Sequence, residues 1–181
     1  TWLEIGDNNV FREGVTAHRG TGSGGGLTKI GSYNLLMPYV HIAHDCEVGN
    51  NIVFANNVGI SGHVEVGDWA ILGGYAGVNQ FLKVGAHAMV GGMTHITNDI
   101  PAFMIVSGRP ATVRSINAIG LERRGFDKDT ISDLREAFKI IYKRKYSLQE
   151  AVDQLKAMRE GCESLQILID SLESSEKGIH R

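Results

Sequence analysis

Histidine, carboxylate and amide side chains crowd the middle of the chain. His41 and His44 stand three apart with Asp45 directly behind them, His63 follows, and Asn79 and Gln80 come later. A histidine next to a carboxylate is suited to take a proton near neutral pH, and a general base of this kind contributes about 10²–10⁴ in rate. A second chemistry is open to the same residues. His41-x-x-His44 with His63 offers three nitrogens to a zinc ion, as in solenoidal carbonic anhydrases. Both chemistries require residues that are distant in sequence to meet at one edge of the fold.

A repeat of six supplies that edge. Stepping by six from Ile30 reaches Leu36, Ile42, Val48 and so on to Ile96, and all twelve positions are large and apolar. The residue after each anchor is mostly small, and the residue two before it is mostly small or β-branched. A helix has no such period, whereas a short strand followed by a turn does, with the anchor and the residue two before it both pointing inward. Cys46 occupies one of these inward positions, so it is expected to pack and not to ligate. Three segments close a triangular coil of eighteen residues, and successive coils stack as parallel strands. The fold class is therefore mainly β, a parallel β-helix, with the 23 glycines among 181 residues serving tight corners through positive φ or close packing.

Residues eighteen apart share an edge of such a prism. His44, Gly62 and Gln80 form one column, with His63 and Asn79 beside it, so two imidazoles, a carboxylate and amides gather at one corner. His87 and His95 fall on other corners or strands. Ile5, Phe11 and Ala17 carry the same spacing before a glycine-rich stretch, Gly20 to Gly26, shifts the register as an outward loop near residues 19–28. Gly20-x-Gly22-x-x-Gly25 matches a dinucleotide fingerprint only formally, since it leads into hexads and not into a helix. The chain opens at Thr1 on an uncapped strand, and further coils are expected upstream.

After Pro110 the spacing becomes helical, which divides the chain into a β-helix over 1–110 and a C-terminal α-helical domain over 111–181. Ile131, Leu134, Phe138 and Ile141 make one stripe with Asp129 as its cap; a capping box from Ser147 to Glu150 opens a second helix; a third runs from Cys162 to about Leu172. Lys143, Arg144 and Lys145 form a basic cluster that either docks an acidic carrier or ends a solvated helix. With 18 basic against 20 acidic residues and a formal charge of −2, the chain lacks the one-sided charge that nucleic acid attracts, and it has no apolar run of membrane-spanning length. Two cysteines and no leader point to a reducing cytoplasm. A prism with three flat faces can also close on copies of itself around a symmetry axis.

His41-Ile-Ala-His44-Asp45-Cys46, Gly62-His63-Val64, Gln80-Phe81 and Gly120-Leu-Glu-Arg123-Arg124-Gly125-Phe126 together resemble the UDP-N-acetylglucosamine O-acyltransferase family. The resemblance implies a left-handed parallel β-helix with a C-terminal α-helical domain, assembled as a cytoplasmic homotrimer with active sites in clefts between subunits. It implies transfer of a 3-hydroxyacyl group from acyl carrier protein to the 3-hydroxyl of UDP-N-acetylglucosamine, the first step of lipid A synthesis, without metal or cofactor. His44 is then the general base, Asp45 its support and the Gly62 N–H the oxyanion donor. His41, His63, Asn79 and Gln80 contact substrate, while Asn117, Arg123 and Arg124 hold the nucleotide. Gly92 measures acyl length. Asn79 replaces a histidine common in relatives, Ile119 a glutamate and Arg109 an asparagine. The rival functions are an N-acyltransferase of another nucleotide sugar, the zinc hydratase, and a non-catalytic binding solenoid.

Overall fold

The computed structural model describes residues 1–158 and 162–180. Fifteen short strands wind into the three parallel sheets of a triangular, left-handed β-helix. Face I stacks Trp2–Ile5, Leu27–Ile30, Glu47–Val48, Glu65–Val66 and Lys83–Val84; face II begins with Val10–Phe11, Leu35–Leu36, Val53–Phe54, Ile71–Leu72 and Met89–Val90; face III stacks Thr16–Ala17, His41–Ile42, Gly59–Ile60, Gly77–Val78 and His95–Ile96. All twelve hexad anchors from Ile30 to Ile96 are at most 3% exposed. Polar groups that point inward are satisfied there: Asn34 accepts from the Ile52 amide at 2.8 Å and donates to the Gly49 carbonyl at 2.9 Å, as a buried amide side chain must.

The corners differ from expectation in one respect. Left-handed backbone falls three residues after each anchor from Ile30 to Val90, at Tyr33, Tyr39, Asp45, Asn51, Asn57, His63 and onward to Met93, and none of these is glycine. Each such residue costs roughly 1–2 kcal/mol, but its amide donates to the preceding coil, to a carbonyl as His63 does to His44 at 3.1 Å and Phe81 to Gly62 at 3.1 Å, or, at Asp45, to the Thr28 hydroxyl at 2.7 Å. The glycines directly after the anchors serve close approach instead. A Cβ on Gly67 would lie 2.6 Å from the Ala86 nitrogen, and one on Gly85 would lie 2.3 Å from the Ala102 nitrogen.

The three faces present different outer surfaces. Face I is charged, with Lys83 paired to Glu65 at 3.4 Å and Lys29 near Glu47 at 4.0 Å. Face II is apolar at every rung: Val10, Leu35, Val53, Ile71, Met89 and Ile105. On face III the outward column is Thr16, His41, Gly59, Gly77 and His95, flat in the middle because a Cβ on either glycine would meet nothing.

Face II continues through Met104–Ser107, parallel to Met89–Val90, and then Thr112–Ile116, antiparallel to it. This hairpin straddles residue 110, where the helical domain was expected to begin. Among the described residues four helices follow, α1 (Ala118–Arg123), α2 (Lys128–Tyr142), α3 (Leu148–Lys156) and α4 (Glu163–Glu173). The cap of α2 is Asp127 and not Asp129: the Asp127 carboxylate accepts from the Thr130 amide at 2.8 Å, whereas Asp129 lies in the first turn. Only Asp127 has extended backbone and stands three residues before an amide it can reach. The Ser147–Glu150 capping box is formed, and Cys162 is the residue preceding α4. Helix α1 was not anticipated. Leu121, Leu134, Ile141, Leu155 and Leu168 bury the apolar stripes of the four helices. Among the described residues no helix is long and apolar enough to cross a membrane.

Candidate active site

His44 and Asp45 occupy the corner that leads from face III to face I. The His44 Nδ1 lies 2.8 Å from Asp45 Oδ2, so an Nδ1–H tautomer donates to the carboxylate and leaves Nε2 with a free lone pair. The His44 side chain is 43% exposed while that of Asp45 is 1% exposed, an imidazole open to solvent beside a buried carboxylate. Burial alone would raise the Asp45 carboxyl, but the Thr21 hydroxyl and amide, His44 and the charge of His63 outweigh it and hold it at about 2. Asp45 thus remains a carboxylate throughout the neutral range.

Gly62 lies one coil further on, beneath the imidazole. A methyl at Gly62 would fall 2.6 Å from Cε1 and 2.9 Å from Nε2 of His44. On the corner between faces I and II, amides in the equivalent position are capped by side chains of the next coil: Asn50 accepts from the Ser32 amide at 2.8 Å, and Asp68 from the Asn50 amide at 2.7 Å. The Gly62 N–H has no protein acceptor among the described residues, because Gln80, one coil on, does not reach back to it. The corner therefore presents an imidazole nitrogen and an uncommitted N–H donor side by side.

His63 stacks on Phe81 with centroids 4.5 Å apart and meets His44 edge-on at 5.4 Å. Its Nε2 is 3.8 Å from Asp45 Oδ2. Asn79 Oδ1 accepts from His95 Nε2 at 2.7 Å, and Asn79 and Gln80 line a 490 Å³ pocket with Lys177. The trio expected for zinc is not assembled. Thr16 engages the His41 Nδ1 at 2.8 Å, and His41 packs edge-on against His18. Burial, and then His18, lower the His41 basicity. The ligand atoms that do converge, within 4.8 Å, belong to His44, Asp45 and His63, but Asp45 Oδ2 already accepts from the Thr21 hydroxyl and from His44. Cys46 points inward, 1% exposed; burial pushes its thiol up to about 11, as suits packing.

The remaining predicted residues lie at the other two corners of the prism and, for Arg123, over face II. Arg124, between faces I and II, donates to the Trp69 carbonyl at 2.9 Å, contacts His87 Nδ1 at 3.1 Å and lies over the Trp69 ring. Burial, then Arg124, lower His87 to about 4, so at neutral pH its ring is uncharged and accepts. Asn117 donates to the His87 carbonyl at 3.0 Å and caps α1. Arg123 lines a cavity of about 1100 Å³ on face II, floored by Ile71, Met89 and Ile105 and rimmed by Arg135, Lys139, Lys143 and Arg144. Arg144 is also paired with Glu136. Gly92 stands at the third corner, between faces II and III. One chain thus separates the His44 imidazole, the guanidinium groups and Gly92.

Sequence reasoning missed Thr21, Thr28, His87 and Lys177. The eighteen-residue column would have placed His87 over Trp69. The loop at 20–26 joins face III to face I, the corner that also holds Asp45, and the register could have shown this. It does not project outward but folds over the carboxylate, with Gly24 so close that a Cβ would meet Asp45 Oδ2 at 2.3 Å.

The sequence matches the family described as Udp N-acetylglucosamine O-acyltransferase; Domain 2 over residues 99–180, and the bacterial transferase hexapeptide (six repeats) over residues 27–62. An acyl-(acyl-carrier-protein)–UDP-N-acetylglucosamine O-acyltransferase from Saccharophagus degradans is 55% identical over all 181 residues, which span 70% of that relative. Among solved structures, LpxA from Acinetobacter baumannii is 50% identical with a TM-score of 0.97, and the UDP-N-acetylglucosamine O-acyltransferase from Moraxella catarrhalis is 45% identical with a TM-score of 0.98. Each comparison covers 100% of this chain and 70% of the other.

Proposed function

The chain belongs to the UDP-N-acetylglucosamine O-acyltransferase family, and from that membership we propose that it moves a 3-hydroxyacyl group from acyl carrier protein to the 3-hydroxyl of UDP-N-acetylglucosamine, the first step of lipid A synthesis, with His44 as general base. The observation that carries the proposal is the His44–Asp45 pair beside the uncapped Gly62 amide. His44 Nε2 takes the proton of the sugar hydroxyl as its oxygen attacks the thioester carbonyl. Negative charge grows on the carbonyl oxygen, where the fixed Gly62 N–H meets it. Collapse of the tetrahedral intermediate breaks the carbon–sulfur bond, and the leaving thiolate receives the proton from the imidazolium. His41, His63, Asn79 and Gln80 hold the sugar at this corner. The direct test is incubation with UDP-N-acetylglucosamine and 3-hydroxyacyl carrier protein, with a 3-amino analogue of the sugar as competitor. Ester formation on the hydroxyl supports the proposal; amide formation alone supports the N-acyltransferase alternative.

A trimer resolves the separation of the three corners. If the apolar face II of one copy meets the flat face III of the next around a three-fold axis, face I turns to solvent. Each interface then has the Arg124 corner of one copy and the His44 corner of its neighbour at the outer end, and the Gly92 corners at the inner end. Asn117, Arg123 and Arg124 can then hold the diphosphate, for which guanidinium geometry is suited, opposite His44. A closed ring also covers the apolar column, which is otherwise an association hazard. Ile71→Glu should therefore reduce a three-copy assembly to monomers in sedimentation analysis and abolish turnover; an unchanged assembly would refute this arrangement. The cytoplasm is the proposed location.

With the acyl chain running inward from His44, Gly92 meets its far end. A Cβ there would lie 3.2 Å from the Gly74 carbonyl, a tight contact that requires a shift of a few tenths of an ångström. Gly92→Met should shift preference toward shorter donors in a competition assay, and an unaltered chain-length profile would remove Gly92 from this role.

A further inference from the structure

The loop at 20–26 makes seven polar or small residues into a clamp on the carboxylate, and Thr21 is its working part. Its amide donates to Asp45 Oδ1 at 2.8 Å and its hydroxyl to Asp45 Oδ2 at 2.7 Å. The Gly24 amide donates to the same hydroxyl oxygen at 3.1 Å, which turns the hydroxyl proton toward Asp45. From the opposite side, Thr28 Oγ1 accepts the Asp45 amide at 2.7 Å. The carboxylate is thus fixed in both position and rotation, and the Oδ2 that receives Thr21 is the atom that receives His44 Nδ1. We propose that Thr21 is a positioning residue for the transfer reaction, setting the orientation and the basicity of His44 through Asp45.

The inference rests on His44 being the base. Two donors from Thr21 draw charge from the carboxylate. Without the hydroxyl, more of that charge falls on the His44 Nδ1–H, the imidazolium is stabilised, and a higher pH is needed to free the base. The rotation of the carboxylate is also loosened, which misplaces the imidazole; small misplacements of a reacting group cost up to about 10² in rate.

Kinetics of Thr21→Val and Thr21→Ser in the full protein test this directly. Thr21→Val should lower kcat by about 10–10², leave KM for both substrates close to wild type, and move the acid limb of the kcat–pH profile to higher pH. Thr21→Ser, which keeps the hydroxyl, should restore both. A Thr21→Val protein with wild-type kcat, with reduced kcat but an unmoved acid limb, or with a defect that serine does not repair, would overturn the assignment. An active His44→Ala protein would instead overturn the identity of the base.

Discussion

Replacing His44 with alanine should lower kcat by about 10²–10⁴, the range general-base catalysis contributes, equivalent to about 3–5 kcal/mol of transition-state stabilisation. The fold should be untouched. The His44 side chain is 43% exposed, it fills no core position, and its one hydrogen bond is to Asp45, which retains the Thr21 amide and hydroxyl as partners. KM for the nucleotide sugar should change little, because Arg123, Arg124 and Asn117 stand at a different corner. Steady-state kinetics with matched circular dichroism separates the outcomes. A large loss of kcat with native spectra is expected, while wild-type turnover would place the base elsewhere.

Gly62→Ala should be nearly as damaging although it adds only a methyl group. That methyl would lie 2.6 Å from His44 Cε1, closer than non-bonded carbons approach, so the imidazole must swing outward off the donor N–H. The backbone does not resist the change, since Gly62 is not among the residues with positive φ. Alanine keeps the backbone N–H, so the cost comes from displacing the imidazole from the place beside that donor, and such a misplacement costs up to about 10² in kcat. Thermal stability should stay close to wild type, because only a partly exposed ring has to move. A Gly62→Ala enzyme with normal kcat would show that the close approach of residue 62 to the His44 ring does not matter.

The repeat made the solenoid legible: the anchors from Ile30 to Ile96 are the buried column, and eighteen-residue counting places His44, Gly62 and Gln80 on one corner. The same counting separates Gly92 from them. Corner conformation was harder to read. Left-handed positions usually favour glycine, but here Tyr33, His63 and Trp69 adopt them because cross-coil amide bonds outweigh the local cost. Asp127 was passed over as the α2 cap because the apolar stripe does not mark the first turn, and α1 is too short to show a stripe at all. Asn117, Arg123 and Arg124 lie beyond the periodic segment, so only the structure shows them on a different corner from His44. Thr21 sits in the one stretch that breaks the hexad, where pattern carries no positional information.

A mixture of two inactive variants tests the central claim most directly. On the proposed mechanism His44→Ala removes the base and Arg124→Ala the nucleotide anchor, and in the proposed ring each active site draws these groups from neighbouring copies. Unfolded and refolded together in equal amounts, the two chains should combine at random. About one quarter of the interfaces would then carry an intact His44 opposite an intact Arg124, and acyl transfer should recover to about that fraction of wild type. Recovery no greater than the sum of the two separate variants, in a preparation shown to contain mixed trimers, would contradict a site built from His44 and Gly62 of one copy and Arg124 of the next.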